Sequence, residues 1–475
     1  MKDDDYTTSM TDVLTFSRDT VRFDTIISGE PTRTYTFTIY NRAAKALRVP
    51  YVELEGGKES PFKINVDGIP IENGSASDFE IAAKDSMIVY LMANTPVLDT
   101  DLPVDYTDNL WFVTEAGVRQ KVVLTASGQD VVALRGERVQ GDVTMYSRRP
   151  YRVMDSLVVE KGATLTLGAG TTFLFHSGAS LVVHGTLRIE GTMQQPVVLR
   201  GDRMDNMFVH QPYDRTPGQW GGLVFTSESY GNCIEYADIH SGCFAIRADS
   251  SDVSQLKLTM ENSVVHTVTG HALDLRMSQV YVGNSQITNA GGDCIHLRGG
   301  DATFVHCTVG RFYVFSGGSG HALDFANVDG SSRLPLTRLS FVNSIITGYQ
   351  DDEVMGNQNK DFENDAFNYS FTNCLLNTPQ PDGQDVHFVG CLWDQKKSFA
   401  ADVKEPILRD KNFSPEFNLD YLLFGFELNA QSQAIGSANA AITEQTYPID
   451  RLGRSRGIKP DMGCYQHQEK QETKR

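Results

Sequence analysis

The sequence predicts an all-β protein: a β-sandwich followed by a parallel β-helix, a solenoid of short strands. Three observations predict the solenoid. A short phrase recurs along the middle of the chain, with copies opening at Asn262, Asn284, His306, Asn343, Asn373 and Gly390. A second phrase sits between those copies, at Ala245, Ala272, Cys294 and Ala322. Where no insertion intervenes both step by 22 residues, from 262 to 284 to 306 and from 272 to 294, and a period near 20 built from β-type segments is that of stacked coils. The third observation is composition: 41 glycines in 475 residues, with few helix-like stretches.

The elements follow in order. Residues 1–9 read as a flexible tail. From 10 to 128 apolar and polar residues alternate in short runs such as Tyr35–Ile39, Met87–Leu91 and Val122–Thr125, separated by turn formers such as Ser28–Pro31 and Val66–Gly68. Six to eight strands without a long helix predict an immunoglobulin-like sandwich. Residues 129–150 read as a connector, and 151–465 as the β-helix with a C-terminal cap. In Leu157–Gly170 and Leu181–Gly191 branched residues alternate and glycines close the corners, which suits narrow coils. The charged end, 466–475, reads as a disordered tail.

The formal net charge of −18 argues against nucleic acid and anionic lipid as partners. Neutral glycans, cations and other proteins remain open. None of the seven cysteines falls in residues 1–232 and no CxxC pair occurs, so neither a zinc knuckle nor a redox motif is indicated. Cys307, Cys374 and Cys391 share one repeat position and are expected to be small buried residues. No apolar run is long enough to span a membrane.

Parity sorts the second phrase into columns. Ile246, Leu273, Ile295 and Leu323 should point inward, with Ala248, Leu275, Leu297 and Phe325. Between them Arg247, Asp274, His296 and Asp324 should form an outward polar ladder at about 4.8 Å per coil, with Arg298 beside it. A neighbouring turn column reads Phe244, His271, Asp293, His321. Such a ladder can bind a ligand, or it can serve only to satisfy backbone groups on an exposed sheet.

These stretches resemble the right-handed parallel β-helix family of pectin lyases and polygalacturonases, over roughly residues 145–400. In polygalacturonases the corresponding turns carry Asn-Thr-Asp, Gly-Asp-Asp-Cys and Gly-His-Gly. The chain has Gly291-Gly-Asp-Cys294 and Gly320-His-Ala322, so the resemblance implies catalytic positions at His271, Asp293 and His321. Gly292, however, replaces the general acid, His271 stands where an Asp is expected, and there is no Arg-Ile-Lys segment. An inverting hydrolase needs one protonated and one ionised carboxyl. A lyase needs instead a base near C5 of a uronic acid and a cation on its carboxylate; His271, His296, His321 and Arg247 are candidates for the first role, and Arg298 or a metal such as calcium for the second.

Two further resemblances concern location. Lys2-Asp3-Asp4-Asp5 is similar to the acidic export tag behind the lipidated cysteine of surface lipoproteins in some Gram-negative bacteria. The segment Pro448–Arg454 to Pro460-Asp-Met-Gly-Cys-Tyr465 resembles a terminal motif of bacterial surface β-helix proteins, with Cys464 in place of Ala. They imply a lipid-anchored protein on the extracellular face of the outer membrane, or a secreted one.

Between two repeats lies an acidic insertion. Asp351, Asp352, Asp361, Glu363 and Asp365 offer hard oxygen ligands suited to calcium, or form a solvated loop. The favoured expectation is non-catalytic glycan binding or adhesion. The alternatives are a lyase or hydrolase acting on an acidic polysaccharide, and a structural component of a surface complex that meets other surface proteins through the sandwich.

Overall fold

The computed structural model describes residues 6–208, 211–315, 318–362, 364–383, 385–394, 413, 422 and 424–468. The chain divides into two compact units, Met1–Val131 and Val132–Arg475.

In the first unit two five-stranded sheets enclose one core. The first runs in the order Leu14–Phe16, Tyr35–Asn41, Ser86–Ala93, Phe62–Val66 and Ile69–Pro70. The second is Thr20–Ile27, Arg119–Gln129, Val104–Val113, Leu47–Leu54 and Ser75–Ile81. Neighbours are antiparallel except that Arg119–Gln129 runs parallel to Thr20–Ile27. Along Ser86–Ala93 exposed and buried residues alternate without a break, because one face meets water and the other meets the opposite sheet. Met87, Val89 and Leu91 join Val21, Phe37 and Phe112 in the common core. The expected sandwich is present, with ten strands; the extra ones include the short edges Leu14–Phe16 and Ile69–Pro70.

The second unit is a parallel β-helix. Successive coils feed three all-parallel sheets of eleven, nine and ten strands. The first sheet runs from Val132–Arg135 to Leu392–Trp393, the second from Arg138–Val139 to Val354–Asn357, and the third from Asp142–Met145 to Phe388–Val389. The stretch read from sequence as a connector is therefore largely the first coil. Its strands pair in parallel with Tyr151–Met154, Ser156–Val159 and Thr164–Gly168. With two to four residues each, they are too short for alternation to show.

The inward columns fall as parity requires: Ile246, Leu273, Ile295 and Leu323 are fully buried in one continuous core. At the corner between the third and first sheets, Asn262, Asn284, His306, Asn343 and Asn373 all take left-handed backbone, φ between 49° and 52°. Asparagine tolerates that region better than most residues, which accounts for the repeat phrase. Asn284 Nδ2 also donates to Asn262 Oδ1 at 2.7 Å, linking adjacent coils. Cys307 and Cys374 follow in the same column fully buried, Cys391 is partly buried, and all seven thiols are free.

The C-terminal segment lies against the side of the coils, along this ladder, where an end cap was expected. Arg456, buried, donates to Asn284 Oδ1, and Asn343 Oδ1 accepts from Asn439 N, the cap of the helix Ala440–Thr446. Met462, Cys464 and Tyr465 pack on Phe312, Ile345 and Leu375 of the solenoid. The reason is physical: those outward apolar side chains and the polar ladder beside them need cover.

Candidate functional site

The turn from the first to the second sheet is short on three successive coils, at 241–245, 269–272 and 291–294, and long on the coils before and after, at 202–221 and 312–322. The long connections reach over the short ones. Gly218 N donates to Gly242 O at 3.0 Å, and Arg311, at the edge of the later connection, donates to the carbonyls of Gly291 and Gly292, each at 3.1 Å. Tyr313 and Phe315, their rings 5.4 Å apart and tilted by 52°, and Phe244 supply partly exposed rings.

Between these rims lies the turn column anticipated from sequence. Ala272 N donates to Asp293 O and Cys294 N to His321 O, which stacks His271, Asp293 and His321 on consecutive coils. The ladder beside them is in register as expected, Arg247 against Asp274, Asp274 against His296, and His296 against Asp324.

Asp293 is the hub. Its side chain is 8% exposed; Oδ2 lies 2.9 Å from His296 Nδ1 and 3.2 Å from His271 Nδ1, and Oδ1 accepts from His321 N at 2.8 Å. Burial opposes its ionisation, yet hydrogen bonding with His271, His296 and the His321 backbone outweighs burial and holds the carboxyl well below its usual range. The two imidazoles stack with centroids 4.1 Å apart and planes 20° apart.

Their tautomers follow from their partners. The backbone N–H of Asp293 can only donate, and it reaches His271 Nδ1 at 3.0 Å, so neutral His271 carries its proton on Nε2. His296 Nδ1–H donates to the carboxylate, leaving Nε2 with a lone pair. A protonated His271 can turn its Nδ1–H to Oδ2, so Asp293 can stabilise a cation on either ring. A proton donor and a proton acceptor thus stand side by side on one ionised carboxylate.

The other predicted residues divide. His321 joins through its backbone, with its Nδ1 3.8 Å from Asp293 Oδ1. Asp324 is paired with Arg298 at 2.6 Å, and Asp274 with Arg276 at 3.4 Å. Arg247, two coils from His296, lies over the Phe244 ring and beside Asp249, with its side chain 42% exposed. In the acidic insertion Asp365 is held by Arg333 and Asp352 accepts from Thr378 Oγ1 at 2.7 Å. None of the groupings of three or more ligand-type side chains among the described residues includes Asp351, Asp352, Asp361 or Asp365. Glu363 lies outside the described residues, as do Lys2–Asp5.

Sequence reasoning missed a second cluster on the outer face of the first sheet. His240 Nδ1 lies 2.9 Å from Asp238 Oδ1, its Nε2 lies 3.0 Å from Asp214 Oδ1, and His266 Nε2 lies 3.2 Å from Asp238 Oδ1. Burial alone would lower His240, but the carboxylates at both nitrogens raise it to about 9. Parity within Ala237–His240 and Val264–Val268 could have flagged both histidines as outward. Asp214 comes from the 202–221 connection, which carries no repeat.

Residues 136–257 match the model of the pectate-lyase-like β-helix domain family, and the chain thus carries a β-helix of that type. No curated protein matches the sequence. Among solved structures, a family 123 glycoside hydrolase from Clostridium perfringens is 8% identical over 25% of this chain and 26% of its own, with a TM-score of 0.18. The chain therefore spans about a quarter of that hydrolase. The PapD-like domain 7 of human CEP192 is 12% identical over 27% of this chain and 92% of its own, with a TM-score of 0.17. A Porphyromonas gingivalis W83 protein is 14% identical over 27% and 60%, with a TM-score of 0.19. Likeness this slight carries no argument about function.

Proposed function

We propose that the β-helix cleaves an acidic polysaccharide by β-elimination at a uronic acid unit, with the turn column as its active site. The observation that carries this reading is the buried, ionised Asp293 holding His296 as a base and His271 as a proton donor. His296 Nε2 takes the C5 proton, the C4–O bond breaks as the C4–C5 double bond forms, and protonated His271 gives its Nε2 proton to the departing oxygen, becoming a neutral ring whose Nδ1–H faces Asp293 Oδ2. Arg247, with its side chain 42% exposed and a 3.3 Å pairing with Asp249, is assigned to the substrate carboxylate, since Arg298 is held more closely by Asp324. Hydrolysis is less well supported: an inverting enzyme needs a protonated carboxyl, whereas Asp293 is held ionised by its hydrogen bonds and Asp324 is engaged by Arg298.

A second reading, glycan binding without turnover, draws on the ladder. Asp274 and Asp324 are each paired with an arginine of the chain, and the partly exposed Tyr313 and Phe315 are aromatic residues of the kind that stack on sugars. For location, a lipid-anchored protein on the extracellular face of a Gram-negative outer membrane, or a secreted one, rests on the Lys2–Asp5 sequence. No helix among the described residues is long and apolar enough to cross a membrane. A panel of uronic-acid and neutral polysaccharides, with and without calcium, tests the activity in wild type, His296→Ala and His271→Ala. Ultraviolet-absorbing unsaturated products that both variants lose support elimination. Retention on a glycan affinity gel without products supports binding alone.

A further inference from the structure

The cluster on the outer face of the first sheet has the arrangement of an ion site. His240 and His266 stand opposite each other on adjacent coils, their rings nearly parallel with centroids 4.7 Å apart. Asp238 lies two residues before His240 on the same outward row. We infer that Asp238, His240 Nδ1 and His266 Nε2 bind a divalent transition-metal ion such as zinc, with solvent completing its shell.

Three observations carry this. The ligand atoms of the three residues lie within 4.8 Å of one another, and Asp238 Oδ1 is 2.9 Å from one ring nitrogen and 3.2 Å from the other. Each ring's remaining nitrogen has its own partner: His240 Nε2 meets Asp214 Oδ1 at 3.0 Å, and His266 Nδ1 meets Thr267 Oγ1 at 2.8 Å. Outer partners of this kind orient metal-bound histidines and set their tautomers, and Arg200 anchors Asp214 in turn. The third observation is a contrast. At Asp293 the Nδ1 lone pair of His271 is already taken by a backbone N–H. Here the two inward nitrogens converge on one carboxylate oxygen, with no backbone N–H partner among the described residues.

Access and chemistry agree. The side chains of Asp238 and His266 are 35% and 23% exposed, and that of His240 only 6%, a rigid back wall with an open front. Two imidazoles and one carboxylate suit zinc and its neighbours better than calcium or magnesium, which prefer oxygen. The ion would give the chain a second charged centre, separate from Asp293.

The test is calorimetric titration of zinc chloride into the full chain after chelator treatment, for wild type, His266→Ala, Asp238→Asn, Asp214→Asn and His271→Ala, with circular dichroism to verify folding. The expected result is one zinc per chain, lost in His266→Ala and Asp238→Asn and unchanged in His271→Ala. Asp214→Asn should weaken binding about 10- to 100-fold. Cobalt(II) in place of zinc should give a visible ligand-field spectrum that His266→Ala abolishes. Absence of uptake by wild type, or uptake that His266→Ala and Asp238→Asn retain, would overturn the inference. Loss in His271→Ala with retention in His266→Ala would place the ion at Asp293 and overturn it as well.

Discussion

Arg456 Nη2 donates to Asn284 Oδ1 at 2.7 Å across 172 residues of sequence. The same guanidinium donates to Gly463 O at 3.0 Å and Asp461 O at 3.2 Å. One buried side chain thus ties the C-terminal segment to the asparagine ladder and aligns the turn carrying Met462 and Cys464.

Arg456→Met should therefore be costly, by about 3 kcal/mol, because it removes a donor from three buried acceptors, of which Gly463 O keeps His306 Nδ1 as a partner. Arg454→Ala, which removes a more exposed pair with Glu427, should cost about 0.5 kcal/mol. Denaturant unfolding followed on the β-helix transition checks both. Equal losses would mean that the Asn284 contact is not what holds the segment.

Asp293→Asn should abolish turnover and retain the fold. The amide keeps the shape but cannot stabilise a cation on either imidazole, so kcat should fall by at least about 100-fold. Since the hydrogen bonds made by Asp293 are buried, unfolding should become easier by about 1–3 kcal/mol. Activity assay and denaturant titration, run side by side, separate the two effects.

Arg247→Ala should raise KM about tenfold with little change in kcat, because the arginine meets the substrate carboxylate and not the reacting proton. Steady-state kinetics on a uronate polymer decides; an equal fall in kcat would put Arg247 in the chemical step.

Lys257 gives a pH signature. It is fully buried, and Nζ donates to Thr226 O at 2.6 Å and Ser229 O at 2.9 Å. Burial lowers it to about 8, against a small opposing pull from Asp249. The unfolded chain, with an ordinary lysine near 10.4, then binds more protons between those values, so stability should rise with pH over that window. Comparing wild type with Lys257→Met in denaturant at pH 7 and pH 10 isolates the effect: the variant should lack this contribution to the rise.

Much of this was legible in the sequence. The asparagine column was readable because a left-handed corner recurs on every coil and few residue types tolerate it. The ladder and turn column were readable because parity is strict where one face is a core: one misplaced residue at Leu273 or Ile295 would reverse every side chain on its strand. The first coil was not, since strands as short as Arg138–Val139 show no period. The position of the C-terminal segment was not, because contacts such as Arg456 with Asn284 leave no trace in local pattern. The pairing of His240 with Asp214 escaped for the same reason.

Whether Asp293, His271 and His296 perform elimination is decided by mass spectrometry of the oligosaccharides released from a uronic-acid polymer. Elimination gives fragments lighter by one water than hydrolysis products, expected from wild type and missing with His296→Ala. Fragments carrying the added water, or unsaturated fragments that persist with His296→Ala, would contradict it.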